Sequence, residues 1–380
     1  MKTLQLVPAM EQGGVERGVV EMNRVLVGEG WQNVVVSAGG RLARQIEDDG
    51  GRHVELDVKS KNPFTFFARA AKLRRLLLAE KPDVVCAHSR VPAWLFKRAA
   101  RGLGIPWITF AHGANSVSRY SRVMTEGDLT VTPSRYIADY LKAAYGIDER
   151  KLRVIPRAID RNRFDPGRLD GEFLAAKRVD WGLAAAGHFV VMALGRITQL
   201  KGFDHLVRAM ALLKADGGAT AAGRRFKLVL VGEAEALRKE VEADLRRLTA
   251  ELGLERDVVF AGNQSKVAEC LSLADCVVSA NVAKPEAFGR SMAEALAMNR
   301  PVVAKAFGGA LDVVRDGVDG VLVGADVGAA KAPRAFADAI RKVSAMKFGD
   351  LRASALERFS FAKMAERSLA VYRELGSLLI

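Results

Sequence analysis

Twelve short runs of Val, Ile, Leu and Ala, separated by longer amphipathic stretches, constrain this chain more than anything else in it. The first series falls at 3–8, 33–38, 53–58, 83–87, 106–111 and 129–132, the second at 189–194, 227–231, 258–261, 275–279, 301–304 and 321–323. Most are continuously apolar rather than alternating. A strand needs that pattern when both of its faces are buried, as in a parallel sheet covered on two sides by crossover helices. Helical periodicity fits between them at 16–28, 63–79, 204–214, 237–252 and 293–298, and again in the tail at 359–375. The alternation of strand and helix predicts an α/β chain of two doubly wound, Rossmann-like units.

A length of 380 residues exceeds what one core usually supports and suits two domains. The stretch AIDRNRFDPGRLDGEF from 158 is polar and broken by Pro166, Gly167 and Gly171, as linkers tend to be. We therefore expect an N-terminal domain over 1–165, a C-terminal domain over 166–355, and a closing helix over 356–380. No apolar run reaches the roughly 18 residues of a membrane span. The beginning, MKTLQLVPAM, reads as a first buried strand rather than a leader. Cys86, Cys270 and Cys276 form no close pair and no zinc pattern, so they are expected to be reduced, structural thiols in a cytoplasmic protein.

The net charge is +14, and residues 1–165 hold 27 Lys/Arg against 18 Asp/Glu, an excess of nine. Such an excess points to a polyanionic partner: nucleic acid, an anionic membrane or phosphorylated small molecules. Aromatics are only 7% and no nucleic-acid-binding motif is present, so nucleic acid is not expected.

Four places carry residue types suited to chemistry. Gly13 and Gly14 follow the first strand, where the turn into a helix lies at the carboxyl edge of the sheet. Glycines there let a backbone approach a phosphate, or simply make a tight turn. In LGRITQLKGF, Arg196 and Lys201 follow a strand of the second series and can clamp a diphosphate, the Arg as a fork and the Lys as a point charge. Solvated loop charges are the alternative. In KPEAFGRSMAEALAMNRPVV, Glu286 falls in a turn and Glu294 in the helix that follows. Glu294 can accept hydrogen bonds from ribose hydroxyls, and Glu286 from sugar hydroxyls. The Phe288–Gly289 amides at the helix mouth add donors for phosphate. A surface helix with two acidic residues reads the same way. Finally, His112 follows the apolar strand WITFA, where it faces a ligand crevice or is a capped structural histidine.

Together these pieces resemble the retaining nucleotide-sugar glycosyltransferases of family 4, in order and over nearly the whole chain. GGVE at 13–16, AHG at 111–113, VTPSRYIADYL at 131–141, RVIPRAIDRNRFDP at 153–166, GRITQLKG at 195–202, EAFGRSMAEA at 286–295, FGGALDVVRDGVDGVLV at 307–323 and ERFSFAKMAERSLAVY at 357–372 carry the likeness. The two glutamates eight apart and the upstream Arg…Lys loop are its specific parts. The resemblance implies a GT-B fold, two Rossmann-like domains facing a central cleft, and a metal-independent reaction with no cofactor. It further implies that Arg196 and Lys201 hold the donor diphosphate and that Glu294 binds the ribose. Glu286 and His112 would contact the transferred sugar, and Gly308 and Gly309 would offer amides to sugar or phosphate. The partners it implies are a nucleotide-sugar donor and a glycan or lipid-linked acceptor, as in bacterial lipopolysaccharide or surface-glycan synthesis. Rival readings are a nucleotide-sugar epimerase, a sugar-phosphate synthase or a nonenzymatic nucleotide-binding protein.

Three departures from the family pattern stand out: SANVAKP before Glu286, Asn299-Arg300 where Gly is usual, and Asp312 where Glu is usual. The segment KSKNPFTFFARAAKLRRLLL, 59–78, sets Phe64, Phe66 and Phe67 among Lys59, Lys61, Arg69, Lys72, Arg74 and Arg75. Such a helix can lie on an anionic leaflet, or be an ordinary crossover helix with Leu73, Leu76 and Leu77 in the core.

Overall fold

The computed structural model describes residues 1–11, 13–183, 187–235 and 238–376. It divides into two compact units, one of Met1–Arg157 with Ala362–Ile380 and the other Ala158–Phe361.

The first unit is a seven-stranded parallel sheet: β1 (Lys2–Leu6), β2 (Gln32–Ser37), β3 (Arg52–Glu55), β4 (Val84–Ala87), β5 (Trp107–Phe110), β6 (Leu129–Thr132) and β7 (Leu152–Val154), in the order β3-β2-β1-β4-β5-β6-β7. Leu4 and Leu6 of β1 pack into one core with Val34, Val36, Leu73 and Leu77. Val7 and Val35 pack into another with Met10, Val19 and Ile46. Both faces are thus covered, as the continuous apolar runs require. The helix Phe361–Gly376 contributes buried Tyr372, Leu369 and Leu375 to this unit. Its Arg373 pairs with Glu29 at 2.6 Å, and Glu374 pairs with Arg153. β7 was not expected from the sequence. It is a three-residue edge strand, LRV, only partly buried, so it needs no apolar run.

The second unit repeats the plan with six parallel strands: β8 (His188–Leu194), β9 (Arg225–Val231), β10 (Val258–Gly262), β11 (Cys276–Ser279), β12 (Val302–Lys305) and β13 (Gly320–Val323), in the order β10-β9-β8-β11-β12-β13. Along β8, Val190 and Met192 join one core while Phe189, Val191 and Ala193 join the other. In both units the strand order reverses beside the first strand. The crevice outside the carboxyl ends of β1 and β4, or of β8 and β11, is where such sheets take ligands.

The polar stretch from 158 is structured. Ile159 and Phe164 are buried in the core of the second unit, and Asp165 caps the 3-10 turn Pro166–Arg168. The division accordingly falls at 157/158 and 361/362, against the expected 165/166 and 355/356. The three cysteines are buried free thiols. Asn299, standing where the family has Gly, adopts a left-handed φ of 58°, which Asn tolerates better than most residues. Its side-chain oxygen accepts from the Leu351 amide at 3.0 Å.

Candidate functional site

At the carboxyl edge of the second unit, β8 ends in Gly195 and the chain passes through Arg196 to the short 3-10 turn Gln199–Lys201. Gly202 then starts the helix Phe203–Ala215 with φ 63°, and a methyl group there would sit 2.2 Å from the Ala280 carbonyl oxygen. Only glycine fits, and the fit pins this loop against the end of β11. Lys201 folds its stem back over Gly195, and its Nζ donates to Glu286 Oε1. The structure therefore brings Lys201 and Glu286 together as an ion pair, with both side chains about one-quarter exposed. Arg196 turns away from that pair. Its guanidinium is 73% exposed and bonds Glu235, a residue the sequence did not single out.

The turn 285–289 is clamped by the next one. Gly308 has φ 63°, and a Cβ on it would lie 2.3 Å from that of Pro285. The Gly309 amide donates to the Glu286 carbonyl at 2.8 Å. That amide is spent inside the protein, so of the expected backbone donors at 308–309 it is unavailable to a ligand in this conformation. Phe288 is buried, its ring edge-on to Phe359 at 5.4 Å, and only its backbone borders the edge. Gly289 caps the helix Arg290–Ala297, and Glu294 lies in its second turn, partly buried, 3.5 Å from Arg290.

Lys305, the last residue of β12, is 8% exposed and is a further cation at this edge. Among the described residues its ammonium meets the Val282 carbonyl, at 3.4 Å, and the Phe307 ring, at 4.7 Å. No carboxylate among the described residues pairs with it. The signal in the sequence was a basic residue closing the apolar run PVVA.

The first unit's edge is built differently. Gly13 caps the helix Gly14–Gly28 with no side-chain cap bond, and Glu16 folds back so that its carboxylate fills the space beside Gly13. The phosphate approach expected at Gly13 is thus filled in this conformation by the helix's own acid, placed as a capping-box residue is. His112 has both ring nitrogens engaged. Nδ1 accepts from Arg157 Nη2 at 2.6 Å, and Nε2 meets Nδ1 of His88 at 3.1 Å. His88 Nε2 is 2.6 Å from Gln5 Oε1, and Gln5 Nε2 donates to the Tyr372 hydroxyl at 2.8 Å. Burial, then the charge of Arg157, pulls the His88 pKa down to about 3, and the same causes hold His112 well below its usual range. Sequence reasoning found His112 and missed His88, although CAHS after β4 repeats the pattern of FAHG after β5.

No group of three or more His, Cys, Asp or Glu side chains among the described residues is arranged to hold a metal ion.

In the basic segment, Phe64 is 93% and Phe67 66% exposed, with Lys59, Lys61, Lys72 and Arg75 also at the surface. Arg69 and Arg74 are not available there. Arg69 is buried and donates to the carbonyls of Asp57, Ser60 and Asn62, and Arg74 to those of Ala99 and Arg101. They hold backbone carbonyls, Arg69 those of the turn before its helix and Arg74 those of a distant segment, which a sequence count of basic residues cannot separate from surface charge. No helix among the described residues is long and apolar enough to cross a membrane.

Two family models match in series: Glycosyltransferase Family 4 over residues 12–163 and Glycosyl transferases group 1 over residues 182–358. A D-inositol 3-phosphate glycosyltransferase of Catenulispora acidiphila is 31% identical over 77% of this chain and 72% of its own. Further proteins of that name match over only 43% to 60% of their length. An alpha-maltose-1-phosphate synthase of Mycobacterium tuberculosis is 30% identical over 82% of this chain and 77% of its own. The crystal structure of a glycosyltransferase from Rickettsia africae covers 98% of both chains with TM-score 0.82 at 28% identity.

Proposed function

Because the chain belongs to the family 4 nucleotide-sugar glycosyltransferases, enzymes of GT-B architecture, we propose that it carries out a retaining sugar transfer to a glycan or lipid-linked acceptor. The service proposed is bacterial cell-surface polysaccharide or lipopolysaccharide synthesis. The observation that carries the reading is the Lys201–Glu286 pair, seated at the switch point of the second sheet beside Gly195 and Arg196. An incoming diphosphate meets Lys201 there, with Arg196 free to leave the surface contact with Glu235 and close on the same oxygens. Glu286, already placed by Lys201, takes the hydroxyls of the transferred sugar. Glu294 takes the ribose. His112 contacts the sugar from the first unit.

The reaction has the acceptor hydroxyl form its bond to the anomeric carbon on the face from which the diphosphate leaves. The electron pair of the breaking C–O bond goes to the diphosphate, and the acceptor proton passes to a phosphate oxygen. Lys201, Arg196 and the dipole of the helix Arg290–Ala297 stabilise the charge that develops, in place of a cation.

The names of two relatives favour a second reading of the acceptor. Both the D-inositol 3-phosphate glycosyltransferase and the alpha-maltose-1-phosphate synthase carry phosphate in their names. The basic excess of residues 1–165 suits a phosphorylated small molecule as well as an anionic leaflet. The protein is proposed to be cytoplasmic, docking reversibly on the inner face of the membrane through Phe64, Phe67 and the lysines around them.

A thermal-shift screen against UDP-, GDP-, ADP- and CDP-sugars identifies the donor. Release of nucleoside diphosphate without acceptor argues against a merely nucleotide-binding protein. The anomeric coupling of the product reports retention, and an inverted product would contradict the mechanism.

A further inference from the structure

Gln5, His88 and Tyr372 have no part in the roles assigned above, yet they form one buried chain ending at His112. It starts in the helix Phe361–Gly376, crosses β1, passes the residue after β4 and reaches the residues after β5. Its proton order is fixed from the other end. A guanidinium has donors and no acceptor, so Nδ1 of His112, facing Arg157, must carry a lone pair. The proton of the neutral ring is then on Nε2 and points at Nδ1 of His88. His88 in turn carries its proton on Nε2 and gives it to Gln5 Oε1, which leaves the Gln5 amide nitrogen to donate to Tyr372. Reversing the links would set a donor against Arg157.

Nothing around the rings competes with this order. His88 is 8% exposed and stacks on Phe110 at 4.5 Å. The small cavity beside it is lined by Val15, Met22, Thr132 and, from the closing helix, Met364 and Ser368, with Arg157 its one charged side chain. The other titratable groups in contact are Tyr372 and Cys86, whose thiol donates to the Tyr372 oxygen at 3.3 Å. Burial raises both, Cys86 to about 12, so they stay neutral.

We propose that Gln5, His88 and Tyr372 are positioning residues for His112. They fix its ring as the neutral, Nε2-protonated tautomer, so that Nδ1 is a hydrogen-bond acceptor. Arg157 occupies that acceptor and yields it to a hydroxyl of the transferred sugar when an anionic ligand draws the guanidinium away. The proposal rests on the reading of His112 as a sugar contact.

The test begins without substrate. The chain has five histidines, so 15N-histidine labelling and long-range 1H–15N spectra across pH resolve each ring. His88 and His112 are expected as Nε2–H tautomers that remain neutral at pH 5. An Nδ1–H tautomer for His112, or its protonation between pH 6 and 7, overturns the proposal. The variant Gln5→Glu puts a carboxylate beside His88. It should raise the first protonation of the pair by roughly one to three pH units. Protonated His88 donates from Nδ1, forces His112 to carry its proton on Nδ1, and removes the acceptor. With the donor that turns over in the four-nucleotide panel, kcat/KM of Gln5→Glu should therefore gain an acid limb absent from the parent. If that variant does not fold, Tyr372→Phe serves: kcat about tenfold lower with unchanged nucleoside-diphosphate affinity. Parent-like profiles in a folded Gln5→Glu, or parent-like kcat in Tyr372→Phe, overturn the positioning role. His112→Ala is run beside them, and full turnover there overturns the sugar contact itself rather than the chain behind it.

Discussion

The two units share a strand order and differ at the edge where ligands bind. In the second, the carboxyl ends of β8, β11 and β12 carry ionised side chains held a short way from solvent: Lys201 with Glu286, Glu294 with Arg290, and Lys305 with no carboxylate among the described residues. In the first, the corresponding edge holds neutral groups in a hydrogen-bonded line, and Arg157 is the one charged side chain lining the cavity beside it. Lys201, Glu286, Arg290 and Glu294 keep their charges at low cost because they are partly hydrated and paired, whereas Lys305 is buried against a carbonyl and a ring. At the first unit's edge, burial and the charge of Arg157 pull both histidines down, so that they are neutral at ordinary pH. On the function proposed above, the same fold offers one surface for an anion and another for hydroxyls, and function follows the side chains rather than the sheet.

If that contrast is right, substitutions of the charged side chains at the second unit's edge change ligand chemistry and leave the fold alone, whereas those in the first unit's hydrogen-bonded line also change stability and pH response. The largest effect is expected from Glu286→Ala. It should lower kcat on the order of a hundredfold or more while leaving nucleoside-diphosphate affinity nearly intact, as steady-state kinetics beside calorimetry will show. An equal loss in both quantities would remove the assignment of Glu286 to the sugar.

Acid stability comes next. His88 is neutral when folded because burial depresses its pKa to about 3, whereas the unfolded chain titrates near 6.5. Below pH 6.5 the unfolded state takes up a proton that the folded state refuses, so stability falls as pH falls towards the folded pKa. The slope is about 1.4 kcal/mol per pH unit for this one group. Denaturant unfolding at pH 7 and pH 5 should show the first unit losing about 2 kcal/mol through His88, with His112 adding to the loss in the same direction, and His88→Phe should remove the His88 share. A pH-independent first unit would break the contrast from the other side.

A smaller effect is expected from Glu294→Gln: roughly tenfold weaker nucleotide binding at unchanged melting temperature. The smallest per residue lies outside both edges. Lys59, Lys61, Lys72 and Arg75 are exposed, so each should add about 1 kcal/mol on an anionic leaflet. Sedimentation with anionic vesicles at low salt should fall at high salt and vanish on replacing these four by Gln. Arg69→Gln should instead unfold the turn at 57–62 that it holds. No vesicle binding at low salt would favour the soluble phosphorylated acceptor.

Much of this was legible in the sequence, and the parts that were not have physical reasons. All twelve runs became strands: two-sided burial leaves a continuous signal in the central ones, whereas β3, an edge strand with none of its four residues buried, does not owe its place to such a run. β7 escaped because an edge strand of three half-buried residues leaves none. The pairing of Lys201 with Glu286 joins residues 85 apart, which spacing along a chain does not encode. Glu16 closing on Gly13, and Gly309 spending its amide on Glu286, are local outcomes of turn geometry that glycine letters alone leave open. His88 was within reach, since the pattern that marked His112 occurs twice. Gln5 announced itself only as a polar residue inside an apolar strand, and Tyr372 as nothing at all.

The central claim is that the edge of the second unit binds a nucleoside diphosphate through its own cations. Isothermal titration of UDP, GDP, ADP and CDP, in chelator, tests it on the intact protein and on Lys201→Ala. One diphosphate should bind at one site per chain without divalent metal, and Lys201→Ala should weaken it about ten- to a hundredfold with its melting temperature retained. Absence of binding by all four, or undiminished binding to Lys201→Ala, would contradict the account.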